Sequence, residues 1–584
     1  MRRSDTPAPP TGRDGDLAPL PWSGRAHFVV LDADFGSGER FLAILRRWRA
    51  DPERPLRLHY LAPGADPAGA QAMAPALRAA WPPAVPGFHR IMFDDGRVNL
   101  DLMFGAPEFC LAQIDARVDA FYVGAALRSP MVLARLALPG ATLVAGAAQA
   151  PLLGAAGFAC QVVPGATHVH AVFAARMPPP PRSQRQERHA IVIGAGLAGA
   201  AACERLAARG WHLTLIERHA RPAQGASGNR AGIFVPQLSK DDNRAARLSR
   251  AAFLFALRQW QNIGGVGRAF AGAACGVLQL ARDADHAQVQ RQIAAAGHYP
   301  PQYATWLEAD AAAAVLGAAV SHGGWLFGQG GWAHPAELCQ AMLAACGAQL
   351  ECKFSSDVAA LVRVDGQWQA HGADGAIVAR APTLILANGS GATAMAQAST
   401  LPLAAVRGQV TYLAAGTFPP LPLVLCREAY MTPPSDGMLS IGATYDADGS
   451  AILSAASQRE NLEKIASMLG QAPPKHAPLL GRVGFRCVAP DRLPLIGALP
   501  EQVLTERAQG GPIERLRDVP RQPGLYGLLA YASRGLIWAP LAAELLAAQI
   551  ENEPLPLESA LVAALDPARF LLKQHRRAHF HKAT

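Results

Sequence analysis

Read from the N-terminus, the chain alternates short apolar runs with amphipathic stretches of helical period. Phe28-Val29-Val30-Leu31-Asp32 reads as a strand, and Phe41 to Trp48 as the helix after it. Leu56 to Leu61, Val118 to Val123, Ala141 to Ala145 and His168 to Phe173 read as further strands. The pattern then restarts. Ala190-Ile191-Val192-Ile193 is a strand, the Ala-rich segment through Ala200, Cys203, Leu206 and Ala207 a helix, and Leu213 to Ile216 the next strand. Thr383 to Leu386 joins the same set, and Trp538 to Gln549 is a closing helix. Strands alternating with helices predict α/β units with parallel sheets.

The turn after the mid-chain strand carries chemistry. Gly194-Ala195-Gly196-Leu197-Ala198-Gly199 is a G-x-G-x-x-G turn that opens a helix. Gly194 permits the turn, Gly196 lets backbone approach a pyrophosphate, and Gly199 lets helix and strand pack closely. The helix N-terminus offers free N–H groups to phosphates. Glu217, at the next strand end, stands where a carboxylate meets ribose hydroxyls. A dinucleotide site follows, with FAD and NAD equally compatible; the bland alternative is a Gly-rich turn in an ordinary βαβ unit. No second such turn follows a strand, so a separate nicotinamide domain is not expected. After the first strand of the chain comes Asp34-Phe35-Gly36-Ser37-Gly38, then a helix. That is how an S-adenosylmethionine-dependent methyltransferase domain begins. Such domains place an acid at the second strand end, whereas this chain reads Ala62-Pro63-Gly64-Ala65, with no carboxylate before Asp66.

Composition narrows the class. Of 584 residues, 50% are hydrophobic and 17% charged, so large packed cores are expected. The formal charge of +9 rests mostly on Arg, which suits phosphate forks but also follows from base composition. The nine Cys include no C-x-x-C pair, which argues against a disulfide framework and a zinc site. No apolar leader opens the chain, and Gly and Pro interrupt apolar runs before membrane length, so a cytoplasmic protein is expected. Five segments are predicted: a loose N-terminus over 1–24, a methyltransferase-like domain over 25–176, a Pro/Arg linker over 177–189, an oxidoreductase domain over 190–566 and a basic tail over 567–584.

The region from Ala190 onward resembles the D-amino-acid oxidase and glycine oxidase group of FAD enzymes. It does so at the glycine turn with Glu217, at R-x(4)-D-x-x-P-x-x-G over Arg486–Gly497, and at Ser533-Arg534-Gly535 before the closing helix. Gly225-Ala226-Ser227-Gly228-Asn229-Arg230, Gln237-Leu238-Ser239-Lys240, Gly330-Gly331-Trp332, Leu386-Ala387-Asn388-Gly389 and Gly408-Gln409-Val410 are similar to one family, the bifunctional enzymes of tRNA 5-methylaminomethyl-2-thiouridine biosynthesis.

The resemblance implies an α/β protein: an N-terminal Rossmann-like methyltransferase domain, then a C-terminal FAD-binding Rossmann-type domain with an inserted α+β substrate subdomain. It implies FAD held by Gly194, Gly196, Gly199, Glu217, Arg218, Ser227, Asn229, Gly389, Gly497 and Gly535, and S-adenosylmethionine at Gly36 and Gly38. It implies a tRNA wobble uridine as substrate, with Arg486, Arg534 and Tyr430 at the oxidation site and no metal. Arg486 reads alternatively as an ion-pair partner of Asp491, and Asp119 as a structural or a catalytic carboxylate. The tail Lys573 to Lys582 reads as a tRNA-backbone contact or a frayed end. Departures from the family at Gly64, at Gly124 and in the short N-terminus predict weak or absent methyl transfer beside intact oxidation. The competing reading is a free glycine or D-amino-acid oxidase with a non-catalytic docking module.

Overall fold

The computed structural model describes residues 20–124, 130–161, 166–174, 187–446, 448–502 and 513–583. The chain divides into two compact units, Met1–Trp81 with Arg90–Arg182, and Pro82–His89 with Ser183–Thr584. Most of the expected linker 177–189 lies outside the described residues; at its end Arg188 is paired with Glu551.

The first unit is built on eight strands: β1 (His27–Asp32), β2 (Arg57–Pro63), β3 (Gly87–Phe93), β4 (Val98–Phe104), β5 (Val118–Val123), β6 (Ala137–Gly146), β7 (Phe158–Gln161) and β8 (His168–Phe173). They lie in the order β3-β4-β2-β1-β5-β6-β8-β7. The pairs β4-β2, β2-β1, β1-β5 and β5-β6 are parallel, and β8 runs antiparallel to β6 and β7. Every residue of β2 and β5 is buried, as a strand covered on both faces requires. Helix α1 (Glu39–Ala50) packs Phe41, Ile44, Leu45 and Trp48 into this core. The strand order reverses between β1 and β5, the switch point where ligands of such sheets bind.

One expectation changes here, and one alternative is decided. The N-terminus is not loose throughout: Leu20 and Trp22 are buried, and the Trp22 indole donates to Asp51 at 2.7 Å. Burial of two large apolar groups outweighs the surrounding Pro and Gly. Residues 1–19 lie outside the described residues. Asp119 is structural: its Oδ2 accepts the Val29 N–H at 2.9 Å and its Oδ1 pairs with Arg25.

The second unit opens with β9 (His189–Ile193), α2 (Leu197–Ala207) and β10 (His212–Ile216). These belong to a six-stranded sheet ordered Leu350–Lys353, β10, β9, Thr383–Leu386, Arg521–Leu529, Leu495–Pro500, parallel except for its last pair. Small residues let α2 lie almost wholly buried against the closing helix α3 (Gly535–Glu551). An eight-stranded mixed sheet is inserted in this unit; its strands Tyr430–Met431, Met438–Gly442, Ala404–Ala414 and Gly481–Val488 lie in that order. The tail is a helix over Arg569–Ala583 rather than a frayed end. Arg569 anchors it through two 2.8 Å contacts to the Asp491 carboxylate, and Leu572 is buried. Among the described residues no helix is long and apolar enough to cross a membrane, and no cluster of three His, Cys, Asp or Glu is placed to hold a metal ion.

A buried ion network ties α2 to α3. Arg209 reaches Glu544 at 2.9 Å and Glu553 at 2.6 Å, all three almost fully buried. Replacing the cation takes a close partner from two buried carboxylates, Glu544 still having Arg205 at 3.6 Å, and costs at most about 3–5 kcal/mol. Arg209→Met is therefore expected to lower the urea midpoint by that energy divided by the slope, with the slope unchanged. An unaltered midpoint would show that the carboxylates find other partners.

Candidate active site

The glycine turn is built as its residue types require. Gly194 sits at φ +102°, and a Cβ there would lie 2.8 Å from the Ala387 carbonyl oxygen. A Cβ on Gly199 would overlap the Gly194 carbonyl. Gly196 is extended and faces Ser227, whose Oγ accepts the Leu197 N–H at 3.1 Å. Glu217 curls back to this turn: one oxygen accepts the Ala195 N–H at 2.8 Å and the other the His219 N–H at 3.0 Å. Each carboxylate oxygen keeps a further lone pair for a hydroxyl. Arg218 beside it is exposed. A Cβ on Gly535 would meet Leu197 Cδ1 at 3.2 Å, so the N-termini of α2 and α3 converge. Two positive helix ends and a glycine cradle suit a dinucleotide diphosphate.

The loop after Glu217 is held by Arg482, a residue that no sequence pattern singled out. Its Nη2 donates to the Gln224 and Gly225 carbonyls at 2.6 Å each, and its Nη1 lies 3.5 Å from Asn229 Oδ1. Burial lowers the pKa of this guanidinium. Gly389 follows the Thr383–Leu386 strand at φ +60°. Gly497 is placed elsewhere: a Cβ there would lie 3.0 Å from the Gln549 amide oxygen. That contact is fourteen residues beyond Gly535 on α3, roughly 21 Å along the axis. Its role there is packing between strand and helix.

The inserted sheet brings the expected substrate residues together. Arg486 does not pair with Asp491, which Arg569 holds. Its Nη1 donates to the Thr444 carbonyl at 3.1 Å and the Arg407 carbonyl at 3.3 Å. Gly408 makes the room, since a Cβ there would overlap this guanidinium. The Arg486 guanidinium stacks on the Tyr445 ring at 4.2 Å. Tyr445, 63% exposed, donates from its hydroxyl to Ser533 Oγ at 3.3 Å. It thereby links Arg486 to the Ser533-Arg534 start of α3. Sequence reasoning missed Tyr445, which lies in a loop with no periodic signal. Arg407 holds that loop through Asp446 at 2.5 Å.

Arg534 is half-buried, donates to the Val235 carbonyl at 3.2 Å, and has its pKa lowered by desolvation. It lines a cavity of about 170 Å3 with Gln237, Gln279, Gln290 and Trp325. Tyr430 donates its hydroxyl to the Ala231 carbonyl at 3.2 Å, and burial raises its pKa above the usual phenol range. In the first unit, Gly36 (φ +53°) and Gly38 (φ +76°) form the left-handed turn between β1 and α1.

A family model described as FAD dependent oxidoreductase matches residues 189–549. The tRNA 5-methylaminomethyl-2-thiouridine biosynthesis bifunctional protein MnmC of Burkholderia thailandensis is 44% identical over 610 residues, covering 97% of this chain and 93% of its own. The chain belongs to this bifunctional family. The relative of the same name from Cupriavidus necator is 42% identical over the same shares of both chains. The second unit is thus an FAD-dependent oxidoreductase, and the whole-length match favours the tRNA-modification reading over a free oxidase. The family's methylated product implies S-adenosylmethionine for its other half. Among solved structures, glycine oxidase from Geobacillus kaustophilus matches 65% of this chain and 99% of its own at TM-score 0.53. At 19% identity that likeness concerns the fold.

Proposed function

We propose that the second unit oxidises the carboxymethylaminomethyl group on a wobble uridine of tRNA, in the cytoplasm, and leaves 5-aminomethyl-(2-thio)uridine. The observation that carries this reading is a pair of arginines with no carboxylate partner among the described residues, Arg486 and Arg534, joined by Tyr445 at the N-terminus of α3. The substrate is an N-substituted glycine. Its glycyl methylene gives up a hydride and its amine a proton, forming a C=N bond. Water adds, the C–N bond breaks, and glyoxylate leaves. Bound FAD supplies the hydride acceptor.

The rest of the chemistry is orientation. Arg486 spends Nη1 on backbone carbonyls, which leaves the Nε–Nη2 edge for a bidentate carboxylate. Stacking on Tyr445 fixes the plane of that fork. Tyr430 anchors Ala231 and so positions the loop over the cradle. The ligands proposed for FAD are Gly194, Gly196, Gly199, Glu217, Ser227 and Gly535, with Arg218, Asn229 and Gly389 around them. The basic tail helix, with Lys573 and Arg577 exposed, offers a contact for tRNA phosphates.

The cavity beside Arg534 is suited to the uracil ring, because Gln237 and Gln279 carry amides that match its donor and acceptor edge. Gln279→Leu is expected to raise KM for modified tRNA about tenfold, as loss of one such contact costs about 1–2 kcal/mol. Oxidation of a free N-alkylglycine should be unchanged in the same variant. Equal losses on both substrates would place the base elsewhere. The overall reading is tested by nucleoside mass spectrometry of tRNA from cells with and without the protein.

A further inference from the structure

The switch point of the first unit is filled by the chain's own side chains. Asp32 ends β1 fully buried. Its Oδ1 accepts the Arg40 Nη1–H at 2.6 Å and the Asp34 N–H at 3.0 Å, and its Oδ2 accepts the Tyr60 hydroxyl at 2.5 Å. Three of the roughly four lone-pair positions of this carboxylate are thus taken internally. Arg40 also donates to the Asp34 carbonyl at 3.2 Å and lies 4.8 Å from the centre of the Tyr122 ring, on the neighbouring strand β5.

Side chains of the same unit also stand against the glycines of these strand ends. Gly124, at the end of β5, faces Asp34, whose Cβ and Cγ stand 3.1 Å from where a Gly124 Cβ would be. Gly38 faces Leu77 and Phe35, with Leu77 Cδ1 at 2.8 Å from the same kind of position. Gly64, just after β2, faces Pro107, whose Cγ would stand 2.6 Å from a Cβ there. A ribose needs a carboxylate at that strand end. Pro63 and Gly64 have none, and the nearest acid, Asp66, accepts the Ala68 N–H at 2.9 Å and caps a short helical turn. Asp119, on the next strand, is committed to Val29 and Arg25. These residues do not fit S-adenosylmethionine.

We infer that the first unit takes no S-adenosylmethionine, its crevice being closed by the Asp32–Arg40–Tyr60 triad with Asp34, and that the chain releases the primary amine 5-aminomethyl uridine as its final product. The second half of this inference rests on the proposed oxidation. The N-methylation that turns this amine into the methylaminomethyl nucleoside then falls to a separate methyl-donor-dependent enzyme.

The test uses the flavin-loaded full chain. Calorimetry with S-adenosylmethionine and S-adenosylhomocysteine is expected to show no saturable binding up to about 1 mM, a range in which a competent site at micromolar affinity would be full. Incubating the same preparation with the donor and tRNA carrying 5-aminomethyl uridine should yield no methylated nucleoside. Micromolar binding, or one methyl group per uridine, would overturn the inference. A second arm probes the closure itself. Arg40→Ala should lower the thermal midpoint of the first unit by about 5 °C, because it leaves Asp32 buried without its cation. An unshifted midpoint would mean that Arg40 is a loose side chain able to swing aside, and would also overturn it. Oxidation is read separately on carboxymethylaminomethyl tRNA, so its failure would count against the proposed function and not against the closed crevice.

Discussion

Arg486→Ala is expected to lower kcat/KM for carboxymethylaminomethyl tRNA by about 30- to 5,000-fold. In the proposed reading the fork holds the substrate carboxylate in a partly desolvated site, and truncating one partner of such a pair costs on the order of 2–5 kcal/mol. The variant should fold, because among the described residues the guanidinium it removes is tied to the Thr444 and Arg407 carbonyls and to the Tyr445 ring. Flavin content should be unchanged. Arg486→Lys should recover little, since an ammonium has one point of charge and no planar fork. Steady-state kinetics of glyoxylate release on the purified variants measures the effect. Wild-type turnover in Arg486→Ala would assign the carboxylate to Arg534.

Gly196→Leu is expected to give a folded, colourless protein with no measurable oxidation. The backbone at Gly196 is extended (φ −80°, ψ −173°), a conformation that any residue adopts, so the substitution brings no strain of its own. Its side chain would project toward Ser227 Oγ, 3.1 Å from the Cβ position, and fill the space kept for the pyrophosphate. Gly199 is a poorer probe, because its Cβ would overlap the Gly194 carbonyl and disturb the fold itself. Absorbance in the flavin band against protein concentration reads the result. Full flavin occupancy in Gly196→Leu would remove the cradle from the cofactor assignment.

The parts of the site readable from sequence are those where one residue type alone meets a local backbone demand. Gly194 and Gly199 need left-handed or crowded backbone, and Glu217 stands at a strand end a fixed step beyond the turn. Those demands act within about 25 residues and leave a local signature. Arg486 and Arg534 were legible through motif likeness, but the partner of Arg486 was not. Asp491 is five residues away, yet the extended strand turns Arg486 toward Tyr445, and Arg569 from the tail takes Asp491. Gly497 carries the same motif and is a packing glycine against Gln549, because spacing records a neighbourhood and not a direction. Arg482 is set by its contact with Gly225, 257 positions away, and Tyr445 by Arg486 and by Ser533, the latter 88 positions away, distances over which sequence leaves no local signature. In the first unit, missing carboxylates were visible at Gly64 and Gly124. That Arg40 and Asp34 occupy the vacated volume was a matter of three-dimensional packing alone.

The most direct measurement is single-turnover oxidation of tRNA carrying 5-carboxymethylaminomethyl-2-thiouridine by the flavin-loaded protein under anaerobic conditions. The flavin band should bleach in proportion to modified tRNA, with one glyoxylate and one 5-aminomethyl-2-thiouridine formed per flavin reduced. No bleaching with modified tRNA, alongside rapid bleaching by free glycine or a D-amino acid, would contradict the account and make the protein a small-molecule oxidase.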